Sequence, residues 1–452
     1  MIQTARVREL NEQPTGRGEY VLYWMQASQR TRFNHALEHA IERSNALRLP
    51  LVVGFGLMDD YPEANARHYA FMLCGLRDVK ANLARRGIGF VVRYGNPPEA
   101  MLGLAARAAL VVCDRGYLRH QKRWRERMAD AAPCAVVEVE SDVVVPVDEV
   151  SDKAEFAART IRPKIQRELR KYLKPVAPRK LKRSSLGLKL EQDFDVSDPG
   201  AALKRLKVDP SVPSSSRFIG GEEAAQALLV QFVRTRLNGY DKGRNEPAAG
   251  QTSTLSPYLH FGQISPLQIA LAVASIKSAP KRDRDAYLEE LIVRRELSIN
   301  FVNFQPHYDQ YSALPGWAKK TLAEHRRDKR PHLYSLADLE SAQTGDVYWN
   351  AAQSEMTRTG YMHNYMRMYW GKKILEWSST PQEAFQRTLQ LNNKYFIDGR
   401  DPSAYANVAW IFGLHDRPWS ERPIFGKVRY MNHKGLERKF DMDAYVRFVA
   451  GL

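Results

Sequence analysis

The sequence predicts a two-part fold of the α/β plus all-α class, in which a doubly wound parallel sheet is followed by a linker and a helical part. Short apolar runs alternate with amphipathic segments up to about residue 150, which is typical of a parallel sheet covered by helices. Lysine, arginine, proline and serine dominate residues 151–221. Helical periodicity dominates residues 222–452, and six of the eight tryptophans lie beyond residue 300.

Five apolar runs are the expected strands of the sheet: Tyr20–Trp24, Leu51–Phe55, Gly89–Arg93, Leu110–Cys113 and Ala135–Val139. Amphipathic segments between them, such as 32–45 and 66–85, are the expected helices. The GFG sequence at residues 54–56 is not followed by a third glycine, and no Walker lysine occurs. This Rossmann-like part, residues 1–150, therefore carries no nucleotide-binding signature of its own.

Residues 151–221 are the expected linker, which we predict to be partly helical, and residues 222–452 form the expected helical domain. The linker contains the basic run PRKLKR at residues 178–183. Such a run is either a solvated loop or a set of contacts to DNA phosphates. The aromatic residues of the helical part either fill a large core or surround a planar cofactor, and periodicity does not separate these alternatives.

The composition is that of a globular protein with an affinity for polyanions. Lys and Arg outnumber Asp and Glu by 68 to 51, for a net charge of +17, so nucleic acid is the leading partner and solubility alone is the alternative. No apolar run is long enough for a membrane helix, and the first residues lack a cleavable leader, which predicts a cytoplasmic protein. The three cysteines are expected in the core rather than in disulfides or a metal site.

Two segments combine residues suited to a phosphate-bearing ligand. The TSTLSP sequence at residues 252–257 places hydroxyls at a helix start, where they either bind phosphate or simply cap the helix. Upstream, the phenol of Tyr240 and the guanidinium of Arg244 are expected to reach the same phosphates. Further on, Arg367 paired with Asp398 suits the surroundings of a polar ring, while the alternative is that the acids of the turn-rich segment 391–402 cap a surface loop.

Residues 366–377 have the pattern of one continuous helix. Trp370 and Trp377 are seven residues apart, so their indoles lie on nearly the same face, about 10 Å apart along the axis. Indoles at this separation either relay an electron or pack in the core.

Several motifs together resemble the class II cyclobutane pyrimidine dimer photolyases. These are TSTLSPYLHFGQIS, EELIVRRELSINF, WNAAQ, MHNYMRMYWGKKILEW, FIDGRDP and HDRPWSERPIFGKVRYM, with YVLYWMQASQR and ARTIRPKI in the first half. Their order and spacing are similar to those of the family over nearly the whole chain. The resemblance implies light-driven repair of cyclobutane dimers in double-stranded DNA by a monomeric enzyme that binds FAD in its helical domain. It also implies a possible second, antenna chromophore of the deazaflavin type.

The resemblance also assigns expected roles to individual residues. The residues expected to contact FAD are Tyr240, Ser253, Thr254, Leu255 and Ser256, with Arg367 and Asp398 as an ion pair over the flavin and Asn392 facing its N5. Trp370, Trp349 and Trp377 match an electron-transfer chain that reduces the flavin in light, with Trp370 nearest to it. Trp410 matches the wall against which the dimer stacks, Glu290 its carboxyl partner, and Met368 a further side of the pocket.

Some assignments at the DNA-facing side stay open. Adjacent Glu289 replaces Glu290 if the helix register shifts, and Arg294 stands where class I relatives have a tryptophan. Asp416 and Arg417 resemble residues that fill the gap left in the duplex, although the loop after Trp410 is a residue shorter than in many relatives. Lys427 and Arg429 are the expected phosphate contacts.

The alternatives to dimer repair are a cryptochrome-like photoreceptor and a photolyase for the six-four photoproduct. The photoreceptor shares the fold and FAD, but the residues matching the dimer pocket are present here. The six-four chemistry is associated with a histidine pair, which has no match beside Trp410 or Asn392.

Overall fold

The computed structural model describes residues 2–452. Its first part contains a six-stranded sheet in the order β1-β6-β5-β2-β3-β4. The strands are β1 (Val7–Glu9), β2 (Tyr20–Trp24), β3 (Leu51–Leu57), β4 (Gly89–Tyr94), β5 (Ala108–Asp114) and β6 (Ala135–Val139). Strands β2 to β6 are parallel and β1 pairs antiparallel with β6 at one edge. The predicted α/β plus all-α fold class is confirmed.

The bounds of β2 and β6 match the prediction, and β3, β4 and β5 extend the predicted runs. Strand β1 was not predicted, because this three-residue edge strand is partly exposed and shows no apolar run. The first helix begins at His35 rather than at residue 32, since the Asn34 side chain accepts from the Leu37 N–H and caps it there.

Helices cover both faces of the sheet, and the central strands are therefore buried on both sides. They are α1 (His35–Leu47), α2 (Ala66–Arg85), α3 (Pro97–Ala105) and α4 (Arg119–Ala131). One apolar core lies under α1 and α2 and another under α3 and α4. The order in which strands are added to the sheet reverses at β2, since β3 and β4 lie on one side of it and β5 and β6 on the other. A crevice therefore opens at the carboxyl ends of the neighbouring strands β2 and β5.

A short helix, α5 (Val147–Val150), ends just before the predicted linker, and the linker itself contains two helices, α6 (Ala158–Tyr172) and α7 (Pro199–Lys204). After α6 the chain returns to the sheet, where Phe194 and Val196 join the core of the α/β half. The basic run 178–183 lies along α1, because Arg179 pairs with Glu42 at 3.0 Å and its N–H donates to Glu38. Contact between this run and DNA stays a prediction.

The second part is helical. Its α-helices are α8 (Glu222–Thr235), α9 (Tyr240–Gly243), α10 (Ser256–His260), α11 (Pro266–Ser275), α12 (Lys281–Leu288), α13 (Arg295–Phe304), α14 (Gly316–Glu324), α15 (Leu336–Glu340), α16 (Val347–Thr359), α17 (Asn364–Trp377), α18 (Pro381–Tyr395), α19 (Pro402–Ile411), α20 (His433–Glu437) and α21 (Met442–Ala450). A π-helical turn, Glu289–Arg294, joins α12 to α13. Within residues 2–452, no helix combines the length and apolar character needed to cross a membrane.

Buried arginines join the two parts. Arg30 donates to the Asp142 carboxylate at 2.6 Å and to the Gly262 carbonyl at 3.0 Å, so it links the sheet to the loop after α10. Arg67 donates to the carbonyls of Thr357 and Tyr395 in the helical part. These charge-assisted bonds fix the relative position of the sheet and the helices, and with it the clefts between them.

Candidate functional site

A cavity of about 1010 Å³ opens in the helical part. Its lining comes from five regions of the chain, namely the α9 region, the segment 252–259 at α10, the π-helical turn with the start of α13, the segment 361–367 at α17, and the segment 398–407 at α19. The residues that the prediction placed at a ligand and that line this cavity are Tyr240, Arg244, Ser253, Thr254, Leu255, Ser256, Glu290, Arg367 and Asp398.

The hydroxyl-rich corner before α10 faces this cavity. Thr254 has a left-handed backbone with φ +55°, which turns the chain sharply just before the helix. No side chain caps α10, so the alternative that these hydroxyls serve as an ordinary N-cap is wrong. Tyr287 and Tyr361 instead hydrogen-bond Ser253 and Thr252, each at 3.1 Å. These bonds fix the side chains around the free amide groups of the first turn of α10.

The π-helical turn determines which of the two adjacent glutamates reaches the cavity. Glu289 points away and pairs with Arg162 at 2.6 Å. Glu290 lines the cavity and accepts from Arg244, also at 2.6 Å. The extra residue of a π turn rotates the following side chains relative to an α-helix, and this geometry favours Glu290 over the alternative Glu289.

The predicted ion pair is present at the cavity wall. One guanidinium nitrogen of Arg367 lies 3.0 and 3.1 Å from the two carboxylate oxygens of Asp398. Arg367 also donates to the Met362 carbonyl, and its guanidinium lies 3.8 Å from the centroid of the Phe396 ring. Both side chains line the cavity, so their charges can act on a ligand bound there. Because the pair is largely buried, water screens these charges only weakly.

Asn392 is not among the residues that line the cavity. Segment 391–395 belongs to the last turns of α18 instead of to a loop, which corrects the prediction that the whole of 391–402 is turn-rich. The Asn392 amide donates to the side-chain oxygen of Asn393 at 2.9 Å, and this bond turns it toward its neighbour. Its expected place facing a flavin therefore stays a prediction.

Three buried tryptophans form a connected series beside the cavity. Trp370 packs edge-on against Phe396, with ring centroids 6.3 Å apart, and Phe396 in turn lies under Arg367. The Trp349 indole donates to the Trp370 carbonyl at 3.0 Å. Its ring centroid lies 5.5 Å from that of Trp377. The order away from the cavity is thus Trp370, Trp349, Trp377.

Trp377 is itself buried, so the predicted series does not by itself reach solvent. Tyr334 continues it, with its ring centroid 5.0 Å from that of Trp377, and His332 stacks on Tyr334 at 6.0 Å. Tyr334 was not predicted to belong to this series, because it lies in an irregular segment more than forty residues before Trp377. No local spacing connects the two.

The residues predicted to face DNA lie at the end of α19 and in the loop after it. Trp410 is partly exposed and is one helical turn from Asn407, which lines the cavity. Met368 is buried in α17 and packs in the same apolar core. Neither side chain lines the cavity itself, so their expected contacts with a dimer stay predictions.

The loop after α19 presents an aromatic side chain that the sequence analysis did not single out. Trp419 is 40% exposed, and the guanidinium groups of Arg417 and Arg429 lie 5.5 and 5.1 Å from its ring. Its indole N–H donates to the Asp416 carboxylate at 3.3 Å, and its backbone N–H donates to the Lys427 carbonyl at 2.8 Å. The predicted residues Asp416, Arg417, Lys427 and Arg429 are therefore brought together around one exposed indole.

A second cleft, of about 1000 Å³, lies between the two parts at the carboxyl ends of β2, β3 and β5. Its walls carry the aromatic side chains Tyr61, Tyr117 and Trp124. Arg295 and Asp401 line both this cleft and the cavity in the helical part, so a thin wall separates them. Burial alone would raise the pKa of the Asp401 carboxyl. The hydrogen bond to His260 and nearby positive charge outweigh burial, so the pKa of this carboxyl is lowered.

Among residues 2–452, no cluster of His, Cys, Asp or Glu is placed to hold a metal ion.

Comparisons with known proteins identify relatives of this chain. The family model described as DNA photolyase matches residues 21–181. A Methanothermobacter thermautotrophicus protein named deoxyribodipyrimidine photo-lyase is 51% identical over 100% of this chain and 99% of its own length. Proteins of that name from Arabidopsis thaliana and Potorous tridactylus are 41% and 38% identical, over 96% and 95% of this chain and 89% and 81% of their own lengths.

Solved structures show the same fold. A class III photolyase from Agrobacterium tumefaciens superposes with a TM-score of 0.75 at 20% identity, covering 96% of this chain and 87% of its own. A cryptochrome from Synechocystis superposes with a TM-score of 0.73 at 16% identity, covering 95% of this chain and 88% of its own. At these identities the likeness establishes the architecture and does not separate repair from signalling.

Proposed function

The chain belongs to the DNA photolyase family, and from this premise we propose that it repairs cyclobutane pyrimidine dimers in DNA with light, using reduced FAD bound in the helical cavity. The observation that carries the proposal is the cavity of about 1010 Å³ that joins a hydroxyl corner, a buried ion pair and the start of a tryptophan series. The hydroxyl corner and the ion pair line this space, and the tryptophan series starts behind Phe396, whose ring lies against Arg367. A packed helical core would have left no room for a dinucleotide.

The residues present fit FAD. Two hydroxyls, Ser253 and Ser256, and the amides at the start of α10 suit the diphosphate, which favours a helix N-terminus. Tyr240 lines the cavity beside them, and the buried Nε of Arg244 has no partner among the described residues, so it is a donor available to a ligand. The ion pair of Arg367 and Asp398 would hold the polar edge of the flavin ring.

When bound and reduced, FAD would supply, on excitation, one electron to the dimer, and the same electron would return after the two bonds between the bases have broken. Glu290, held at the cavity mouth by Arg244, would accept a hydrogen bond from a pyrimidine N–H. Trp410 would stack on one side of the extruded dimer, with Met368 behind it. These side chains position the dimer, and the flow of electrons leaves them unchanged.

The dimer has to leave the helical stack to reach the cavity, at a cost of a few kcal/mol that is lower for a poorly paired lesion. The loop around Trp419 would fill the gap left in the duplex. Asp416 and Arg417 would face the orphaned bases there, and Lys427 and Arg429 would contact phosphates. The cation–π contacts of Trp419 hold this loop as a preformed wedge.

Trp370, Trp349 and Trp377 would reduce oxidised FAD in light, and Tyr334 would carry the resulting charge toward solvent. This role is separate from repair. The proposal is supported by the unbroken series of aromatic contacts from Phe396 to His332.

We place a second, light-harvesting chromophore in the cleft between the two parts. The aromatic walls suit a planar ring system, and Arg295, Arg400 and Asp401 supply polar contacts. A Sulfolobus tokodaii photolyase has two FAD molecules in its crystal structure, one of them implicated in light harvesting. A deazaflavin and a second flavin are the two candidates, and extraction followed by absorption spectroscopy distinguishes them.

The test of the proposed function compares light and darkness. Protein denatured after purification should release FAD, and reduced protein should restore a dimer-containing oligonucleotide only under near-ultraviolet or blue light. Protein that releases no flavin, or that repairs equally in the dark, would refute the proposal. We further propose a cytoplasmic monomer; sedimentation with and without DNA tests the monomeric state, and cell fractionation tests the location.

A further inference from the structure

The exposed face of α6 carries an unneutralised row of positive charge. Arg159 and Arg170 are exposed and lie on one side of the helix at helical spacing, and the exposed Lys174 follows two residues beyond its end. Within residues 2–452, none of the three has a carboxylate partner within salt-bridge distance. The opposite side of α6 is apolar and buried in the core, so the orientation of this row is fixed.

The N-terminal end of α6 contacts the loop that follows Trp410. His415 donates through Nδ1 to the carbonyl of Phe156 at 2.8 Å. Phe156 is 49% exposed although it is a large apolar residue, and the Arg159 guanidinium lies 5.7 Å from its ring. An exposed aromatic ring next to arginine, at the edge of a loop rich in basic residues, suits the face of a base or sugar.

A second contact fixes α6 against the mouth of the cavity. Arg162 donates to both carboxylate oxygens of Glu289, at 2.6 and 3.0 Å, and Glu289 directly precedes the cavity-lining Glu290. The basic row therefore begins at the rim of the site and leads away from it. A run of surface lysines and arginines with no such contacts would indicate only a solvated face.

We propose that the basic face of α6, from Phe156 through Arg159 and Arg170 to Lys174, binds the phosphates of the duplex arm on one side of the extruded lesion. The proposal rests on the proposed function, since it takes DNA to be the ligand at the cavity mouth. The helix rises about 1.5 Å per residue, so Arg159 and Arg170 are about 16 Å apart, which spans about five base-pair steps. The binding surface thus extends beyond the loop around Trp419 on one side only.

The test uses a triple variant, Arg159→Gln, Arg170→Gln and Lys174→Gln, and a control with the same loss of charge. The control is Lys189→Gln, Lys204→Gln and Lys207→Gln, three exposed positions on the segment that packs against the α/β half. Binding of a dimer-containing duplex is measured in the dark over a range of salt concentrations. A thermal melt of each variant confirms that it is folded.

The slope of log K against log salt should be lower in magnitude by about 0.9 for each lost phosphate contact, about 2.7 for three, and the control should keep the wild-type slope. Shortening one duplex arm should weaken binding by the wild type but not by the α6 variant, whereas shortening the other arm should affect both. Equal losses in the control, an unchanged slope in the variant, or indifference to arm length would overturn the inference. Because these measurements need no light, a protein that binds as expected but fails to repair would refute only the proposed reaction.

Discussion

The ion pair between Arg367 and Asp398 gives the sharpest test of the cavity. Replacing Asp398 by Ala leaves a largely buried guanidinium without its carboxylate. Breaking a buried pair in this way costs about 3 to 5 kcal/mol. Arg367 keeps the Met362 carbonyl and the Phe396 ring as partners, so we expect the lower end, about 3 kcal/mol. If the helical part unfolds as one unit, this corresponds to a fall in Tm of about 6 to 12 °C.

The double variant Arg367→Met with Asp398→Leu separates stability from ligand binding. Two apolar side chains of similar size remove both buried charges at once, which is often neutral or stabilising, so Tm should return close to that of the wild type. FAD affinity should stay reduced in both the single and the double variant, because both lack the pair at the flavin. Fluorescence titration of protein stripped of flavin measures this affinity.

A matched pair in the α/β half serves as the control. Arg86 and Glu38 are 2.7 Å apart and similarly buried, but they lie away from the helical cavity. Replacing Glu38 by Ala should lower Tm and leave FAD affinity unchanged. The reasoning fails if Asp398→Ala binds FAD as tightly as the wild type, or if the double variant regains both stability and affinity.

Three further predictions follow from the structure. Replacing Trp370 by Phe should abolish photoreduction of oxidised flavin while protein reduced chemically still repairs, and equal loss of both would contradict the separate role of the tryptophan series. Replacing Trp410 by Ala should lower the preference for dimer-containing over undamaged duplex by about 5- to 150-fold, since one stacking contact is worth about 1 to 3 kcal/mol; an unchanged ratio in competition binding would exclude its contact with the lesion. Burial raises the pKa of Glu296 to about 8. The folded form therefore holds this proton more tightly, so its contribution to stability is full below about pH 4.5 and is lost as pH rises through about 8. Glu296→Gln should flatten the fall of Tm over that interval, and a wild-type Tm that rises with pH there would contradict the assignment.

The architecture could be predicted well because its signals are local. Strands of a parallel sheet that are buried on both faces consist of nearly continuous apolar residues. Tyr20–Trp24 is such a run, and it was recognisable from the sequence alone. The edge strand Val7–Glu9 has no such signal, since half-exposed edge residues tolerate charge. The predicted start of the first helix, residue 32, is three residues too early, because the prediction did not take Asn34 as the residue that caps the helix.

The site could be predicted in part. The motifs identified Arg367 and Asp398, which form an ion pair in the structure. They also identified the hydroxyl corner, whose side chains line the cavity. Neither Tyr334 nor Trp419 could be found, because their importance depends on which rings they approach in space. The choice between Glu289 and Glu290 needed the π-helical turn, a backbone feature without a sequence signature.

The most direct measurement of the central claim is single-turnover repair by fully reduced protein bound to a dimer-containing duplex. After a light pulse, intact pyrimidines should be recovered in proportion to the bound flavin, with the flavin still reduced and no recovery in a dark sample. Recovery in darkness, or flavin-loaded protein that binds the lesion and restores nothing under light, would contradict the account.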